Sequence, residues 1–387
     1  MQPLKEQFLL DPTVTFLNHG SFGATPWPVM KAYQDWQIKL EYQPVRFLGR
    51  ELDSFLRKAR ESLGAYLNVE ASDVVFIPNA THGINIIARS MKLTADDEVL
   101  TTDHEYGACD YAWEFACQKM GCRYIRKPIP LPIQTEEQII QHFLKGVSPK
   151  TKVIFLSHIT SPTALRLPVR QICKWAKEKG ILTVVDAAHS PGQIPVDLQD
   201  LGADVVFGNC HKWMLSPKGA GFLYVRREIQ DMIEPLIVSW GFHASDESAV
   251  GSQFIDYLQW TGTHDPAAYL SVPNAIRFMQ EYGWDEVQRN SHRLLRNGIE
   301  RICELVRLEP LYPLASDLYA QMGIAPLPHS DLTLLKSRLY DEHRVEVPLI
   351  QWKDRQFIRL SVQGYNDQED IDMLIYALKT LLPEFRT

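Results

Sequence analysis

Between residues 73 and 225 the sequence alternates short apolar runs with stretches of helical period, and this alternation restricts the fold more than any other feature. The apolar runs, typical of buried strands, lie at 73–77, 97–102, 152–158, 181–186, 203–208 and 220–225. Amphipathic stretches at 83–91, 108–119 and 169–179 separate several of them. This order predicts an α/β fold with a mostly parallel sheet between helices, in which ligands bind beyond the carboxyl ends of the strands.

After residue 262 the pattern changes. Asp265 followed by Pro266 is a favourable helix start, and long helical patterns follow before a shorter alternating strand at 356–362. This region reads as a second, smaller α+β domain. The expected division is an N-terminal arm over 1–20, a large cofactor-binding domain over 21–262 and a small C-terminal domain over 263–387.

Charge and composition exclude several kinds of partner. The chain has 387 residues and a formal net charge of −7, without a basic stripe, so we expect neither nucleic acid nor a membrane surface as its partner. No apolar run approaches the roughly 18 residues that span a bilayer, and the first residues do not resemble a secretory signal. The six cysteines are scattered, which favours reduced thiols and a cytoplasmic location.

Polar residues follow the first predicted strand. The order Asn79, Ala80, Thr81, His82, Gly83 then leads into a helix. Free backbone N–H groups at a helix N-terminus, together with a threonine hydroxyl, suit a phosphate group. The alternative is that Thr81 merely caps the helix.

Two further strand ends carry a carboxylate and a lysine. Asp186 ends the run 181–186, and His189 follows three residues later. Lys212 comes just after the run 203–208, beside His211 and apolar neighbours that are unusual for an exposed loop. Asp186 could instead anchor its loop, and Lys212 could be a solvated loop residue.

Arg359 lies within the alternating strand 356–362. It is either a residue at the rim of a half-buried strand or a bidentate clamp for a substrate carboxylate. A phosphate site, a carboxylate for a pyridine nitrogen and a lysine for an aldehyde are together the requirements of pyridoxal 5'-phosphate. Lys212 would form a Schiff base with the aldehyde, and Asp186 would keep the ring nitrogen protonated.

The ordered motifs resemble the class V aminotransferase family of fold type I pyridoxal-phosphate enzymes, and most of all its isopenicillin N epimerase-like members. The motifs are FLNHGSFG (16–23), NATHGIN (79–85), DHEYGA (103–108), SHITSPTAL (157–165), VVDAAHSPG (184–192), GNCHKWMLSPKGAGFLY (208–224) and WTGTHD (260–265), with a weaker echo in IRLSVQGYN (358–366). The resemblance implies the fold of that group and the same cofactor.

The resemblance also implies a role for individual residues around the cofactor. Lys212 matches the Schiff-base lysine, Asp186 the partner of the pyridine nitrogen, and His189 a residue near the ring hydroxyl. His104 corresponds best to the aromatic group stacked on the ring, and Tyr106 is the rival for that place. Ser161 matches a residue near the cofactor. The residues that match the phosphate site are Ala80, Thr81, His82, Asn209 and His211.

Substrate and partner contacts are implied in the same way. Arg359 matches the carboxylate-binding arginine, and Arg46 is a further candidate for a substrate contact. Gly262 and Thr263 match a segment that reaches the phosphate of a partner subunit, so the resemblance implies a homodimer in which residues 261–263 contact the partner's cofactor.

The expected reaction labilises the α-carbon of a small amino-acid substrate. Epimerisation is the first hypothesis; a cysteine- or cystine-type carbon–sulfur β-lyase and an aminotransferase are the alternatives. A persulfide-forming desulfurase is disfavoured, because the last cysteine, Cys303, lies 56 residues before Arg359. A nucleotide-binding oxidoreductase and a metal hydrolase are disfavoured too, since no G-x-G-x-x-G follows a strand and neither H-E-x-x-H nor C-x-x-C occurs. We predict no metal site.

Overall fold

The computed structural model describes residues 4–243 and 252–385. Residues 1–3 of the predicted arm therefore lie outside the described chain. The strands are β1 (Thr15–Phe16), β2 (Val74–Ile77), β3 (Glu98–Thr102), β4 (Arg123–Lys127), β5 (Thr151–Ser157), β6 (Leu182–Asp186), β7 (Val205–Asn209), β8 (Gly221–Val225), β9 (Met322–Leu327), β10 (Val345–Glu346), β11 (Leu349–Trp352) and β12 (Arg355–Ser361).

Helices cover both faces of the main sheet and build much of the C-terminal part. They are α1 (His19–Phe22), α2 (Trp27–Tyr42), α3 (Pro44–Arg46), α4 (Leu52–Leu67), α5 (Ala80–Ser90), α6 (Gly107–Met120), α7 (Glu136–Leu144), α8 (Val169–Glu178), α9 (Leu198–Leu201), α10 (Gln253–Gln259), α11 (Ala267–Leu270), α12 (Val272–Glu281), α13 (Trp284–Val306), α14 (Leu332–His343) and α15 (Gln368–Leu381). No helix among the described residues is both long and apolar enough to cross a bilayer.

The main sheet has the strand order β2-β8-β7-β6-β5-β3-β4. All neighbouring pairs are parallel except those that β8 makes with β2 and β7. The carboxyl ends of β2, β7, β6, β5 and β3 therefore meet at one edge of the sheet. The mostly parallel sheet and its helices confirm the predicted fold class.

The interior strands are apolar on both faces because each face packs into a separate core. In β5, Ile154 and Leu156 join the core on one face, while Val153 and Phe155 join the core on the other. Continuous apolar runs of this kind are typical of parallel strands covered by helices. The edge strand β4 has the sequence RYIRK with partly exposed residues, so it lacks that signal, and the sequence did not predict it.

A second sheet of order β11-β12-β9 is antiparallel and lies in the C-terminal part of the chain. The N-terminal segment joins this part, because β1 pairs in parallel with β10, and the Leu17 carbonyl accepts the Ser361 N–H. The segment around Leu17, which precedes the main sheet in the sequence, is thus hydrogen-bonded to β12, the strand that carries Arg359. The three domain ranges themselves stay a prediction.

Candidate active site

A cavity of about 250 Å³ opens at the carboxyl edge of the main sheet. Most of the residues predicted for the site line it. Its lining consists of Ser21, Phe22, Asn79, Ala80, Thr81, Tyr106, Ser157, Ile159, Ser161, Asp186, Ala188, His189, Asn209, His211 and Lys212. The predicted residues outside this lining are Arg46, His82, His104, Gly262, Thr263 and Arg359.

Lys212 follows β7 in a short loop whose apolar residues are buried. Trp213, Met214 and Leu215 are fully buried, and they hold the loop against the core while the lysine side chain lies in the cavity wall. Its Nζ lies 3.3 Å from Nε2 of His189. Burial lowers the pKa of the Lys212 amine to about 8, against the opposing attraction of Asp186. Lys212 is therefore not a solvated loop residue but a buried amine that loses its proton at a lower pH than an exposed lysine does.

Asp186 ends β6 and its carboxylate lies in the same cavity as the lysine. One oxygen accepts the backbone N–H of Ala188 at 2.7 Å, so the residue also anchors its own loop. The thiol of Cys109 approaches the other oxygen at 3.4 Å from behind the cavity. Burial raises the pKa of the Asp186 carboxyl, and a cationic partner in the cavity would favour its charged form.

The N-terminus of α5 forms one end of the cavity. The cap is Asn79, whose side chain accepts the His82 N–H at 2.9 Å, so the alternative that Thr81 caps this helix is wrong. His82 was predicted at the phosphate site, but its N–H is taken by the Asn79 side chain and is therefore not free to donate to a phosphate. Thr81 is exposed in the first turn, where its hydroxyl and the helix end suit an anion.

Asn209 and His211 flank the same end of the cavity. The Asn209 side-chain oxygen accepts the Ala80 N–H at 2.9 Å, which fixes the turn before α5 against the end of β7. Nδ1 of His211 lies 2.8 Å from the Ala220 carbonyl oxygen and therefore carries the proton of the neutral ring. Burial lowers the pKa of His211 to about 4. A bound phosphate next to this ring would raise that pKa.

The structure corrects the choice between His104 and Tyr106. His104 is fully buried, with Nδ1 2.7 Å from the Thr163 hydroxyl and Nε2 2.8 Å from the Ile129 carbonyl. Its ring packs against Trp352 rather than facing the cavity. Tyr106, half-exposed, lies in the cavity wall and is the aromatic side chain available to a bound ring.

Arg359 is buried on β12, close behind the cavity, rather than at a strand rim. Its guanidinium donates hydrogen bonds to the carbonyl of Ser161 and, at 3.3 Å, to the hydroxyls of Ser161 and Ser21, two cavity residues. Its Nε has no partner among the described residues, so the group keeps hydrogen-bonding capacity. Burial lowers its pKa to about 10, which leaves it charged at neutral pH.

The structure does not bring Arg46 to the cavity. It is exposed at the end of α3, where its guanidinium pairs with Glu51 at 2.6 Å. Gly262 and Thr263 lie in the loop between α10 and α11, and neither lines the cavity of its own chain. Their assignment to a partner subunit's cofactor stays a prediction.

The segment NHGSFG supports Lys212 from behind, a role that the sequence did not reveal. Nε2 of His19 donates to the Lys212 carbonyl at 3.2 Å, and Nδ1 accepts the Tyr365 hydroxyl at 3.0 Å. Gly23 has φ +71°, and a Cβ there would lie 2.3 Å from the His211 carbonyl oxygen. In the sequence, the only indication of this role is His19, which stands between the turn-forming residues Asn18 and Gly20.

Removing the Tyr365 hydroxyl tests this support. Tyr365→Phe leaves the buried Nδ1 of His19 without its donor, and we expect a loss of about 1–3 kcal/mol in the free energy of unfolding. Urea unfolding of the cofactor-loaded protein measures it. Tyr376→Phe is the matched control, because Tyr376 is 61% exposed. Equal stability of the two variants would contradict the contact.

Comparison with known protein families shows to which family this chain belongs. The sequence profile described as "Aminotransferase class-V" matches residues 24–374. The chain belongs to the class V aminotransferase family. The match contains Arg359 and every residue that lines the cavity except Ser21 and Phe22.

Relatives in this family differ in their named activities. The chain is 34% identical to an isopenicillin N epimerase of Amycolatopsis lactamdurans over 97% of both proteins. It is 26% identical to a probable chloroplastic L-cysteine desulfhydrase of Arabidopsis thaliana, over 96% of this chain and 84% of that protein. The solved structure of a C-DES mutant with glycine covalently linked to its PLP cofactor superposes with a TM-score of 0.83 at 22% identity, over 97% and 99% of the two chains.

Family membership makes this protein an enzyme and gives its cofactor as pyridoxal 5'-phosphate, as predicted. The cavity fits that group. It offers a buried amine of lowered pKa for an aldehyde, a buried carboxylate that a pyridine N–H would satisfy, and the N-terminus of α5 for a phosphate.

Proposed function

We propose that this enzyme labilises the α-proton of a small amino acid and that its reaction is epimerisation. One observation carries the proposal: the Lys212 amine, with its lowered pKa, and the Asp186 carboxylate lie in the wall of one cavity. The 34% identity to an isopenicillin N epimerase over nearly the whole chain supports the choice of reaction.

Each residue has a task in this proposal. Lys212 holds the cofactor covalently and afterwards moves the α-proton of the substrate. Asp186 holds the pyridine nitrogen in its protonated form, which makes the bound ring an electron sink. Thr81, Asn209 and His211 hold the phosphate. These groups need no rearrangement of the sheet, because they all lie at its carboxyl edge.

A carbon–sulfur β-lyase is the second candidate. Elimination needs one base and a sulfur leaving group, whereas epimerisation needs a proton donor on each face of the reacting carbon. Lys212 supplies one base, and relatives named L-cysteine desulfhydrase match over most of the chain. A desulfurase remains disfavoured, because none of the six cysteines lines the cavity and Cys109 approaches Asp186 only from behind it.

Incubation of the holoenzyme with enantiopure amino acids in deuterium oxide distinguishes the reactions. Exchange of the α-proton with inversion supports epimerisation. Release of a keto acid and ammonia, together with sulfide from cysteine or with cysteine persulfide from cystine, selects the β-lyase. Formation of an amino acid from an added keto acid selects an aminotransferase. Absence of all three with a broad panel of substrates contradicts an action at the α-carbon.

Arg359 is the proposed clamp for the substrate carboxylate. Arg359→Gln removes a charged partner of that carboxylate, and we expect the KM to rise by about 10²-fold or more. Initial rates against substrate concentration measure the effect. Arg46→Gln is the control, because Arg46 pairs with Glu51 on the surface; we expect a change of less than about twofold. A similar KM for the two variants would remove Arg359 from substrate binding.

We also propose a homodimer in which Gly262 and Thr263 contact the phosphate of the partner subunit. Thr263 is exposed, and a Cβ on Gly262 would meet no atom within 4 Å, so this loop has room for a second chain. A cytoplasmic location is consistent with six free, buried cysteines.

A further inference from the structure

A short chain of hydrogen bonds joins the Trp213 indole to the nitrogen of Lys212. Nε1 of Trp213 donates to Nδ1 of His189 at 3.2 Å, and Nε2 of His189 lies 3.3 Å from Nζ of Lys212. Trp213 is fully buried and His189 is 3% exposed, so water does not compete for either ring. The order of donors along this chain follows from the chemistry of its first member.

An indole N–H can only donate a hydrogen bond. Nδ1 of His189 must therefore be the acceptor, and the proton of the neutral imidazole must sit on Nε2. The ring is neutral because burial, together with nearby Lys212, lowers the pKa of His189 well below its usual value. The proton on Nε2 then points at the nitrogen of Lys212.

We propose that Trp213 is a positioning residue that fixes His189 as its Nε2–H tautomer and so presents a hydrogen-bond donor to the nitrogen of Lys212. Trp213 is not among the residues that line the cavity; it acts through His189. The indole is itself held in place, since its ring packs 4.9 Å from the ring of His19. The assignment concerns this chain's own residues and does not depend on which reaction the enzyme catalyses.

A donor beside a nitrogen favours the unprotonated form of that nitrogen. Without the indole, His189 is free to carry its proton on Nδ1, and Nε2 becomes an acceptor that favours the protonated form instead. The other groups that act on Lys212 or His189 are Asp186, Arg359, Cys109 and His19. They remain in place when Trp213 is replaced by phenylalanine, so the change of tautomer is the main difference.

The matched pair of variants is Trp213→Phe and Trp113→Phe. Trp113 is also fully buried, in α6, but its Nε1 has no hydrogen-bond partner among the described residues. Both substitutions remove a buried indole, but only Trp213→Phe removes a hydrogen-bond donor to His189. For the cofactor-loaded proteins, we expect the pH midpoint of the change in cofactor absorption to rise by about one unit in Trp213→Phe and to stay unchanged in Trp113→Phe.

A second background separates this effect from a general disturbance. In His189→Gln the side-chain amide donates without help from the indole, so adding Trp213→Phe should no longer shift the midpoint. ¹⁵N shifts of the His189 ring in the wild-type protein report the tautomer directly, with or without cofactor. A proton on Nδ1, or equal midpoints in the two tryptophan variants, would overturn the proposal. Failure of the protein to take up cofactor would instead count against the proposed function and leave the nitrogen measurement valid.

Discussion

Lys212→Ala is expected to lower the rate of turnover on the order of 10³-fold or more. The variant loses both the amine that attaches the cofactor and the base that moves the α-proton, and among the described residues no second lysine lines the cavity. Turnover of the preferred substrate measures the rate, and the absorption spectrum after gel filtration shows whether the cofactor is still retained. A variant with more than about a tenth of wild-type turnover would exclude Lys212 as the base.

The neighbouring Lys218 provides the control for this result. Lys218 is exposed, and its amine donates to the Gly23 carbonyl at 3.0 Å rather than reaching the cavity. Lys218→Ala should therefore keep the attached cofactor and most of the turnover. Loss of attachment in Lys218→Ala with retention in Lys212→Ala would reverse the assignment.

Asp186→Asn is expected to have opposite effects on activity and on the stability of the cofactor-free protein. An amide cannot hold a proton on the pyridine nitrogen as a carboxylate does, so turnover should fall on the order of 10²-fold or more. Without cofactor, however, the buried charge of this carboxylate destabilises the folded protein. Its pKa is raised by burial, so the folded state binds its proton more tightly than the unfolded chain does.

This linkage has a definite sign. For a carboxyl with a raised pKa, stability falls as the pH rises from the unfolded value of about 3.9 through the raised folded value. Asp186→Asn removes this effect, so we expect the cofactor-free variant to unfold at a temperature a few degrees higher at pH 7. Calorimetry of the two cofactor-free proteins at pH 7 measures the difference.

Asp204→Asn is the control for the stability effect. Asp204 is also buried, but its carboxylate accepts the N–H and hydroxyl of Thr183 and pairs with Arg226 at 2.9 Å. Loss of that charge should destabilise the protein by about 1–3 kcal/mol, opposite to Asp186→Asn. The same direction of change in both variants would show that Asp186 is a structural carboxylate.

The sequence predicted the main sheet well because its interior strands are buried on both faces. Runs such as 152–158 and 203–208 have few polar residues, and β5 and β7 lie where those runs predicted strands. The carboxyl ends of the strands then place Asp186 and Lys212 in one cavity. Strand β4 escaped prediction because an exposed edge tolerates charge, and β9, with a glycine and a proline, has no clear period.

Contacts between distant segments could not be predicted from local pattern. His104 carries the right ring for stacking, but both its nitrogens are satisfied by Thr163 and Ile129, which lie on other segments. The pairing of Trp213 with His189 likewise depends on how two loops meet. The substrate contact predicted for Arg46 rested on a single residue without a periodic context. Its ion pair with Glu51 holds it at the surface instead.

The position of the covalently attached cofactor shows whether Lys212 is the lysine that forms the Schiff base. Reduction of the holoenzyme with borohydride, followed by proteolysis and mass spectrometry, identifies the modified peptide. We expect one phosphopyridoxyl group per chain, attached to Lys212. In Asp186→Asn the amount of attached group can fall, but the attachment should stay at Lys212. Attachment to Lys218 or to another lysine, or no attachment in protein saturated with pyridoxal 5'-phosphate, would contradict it.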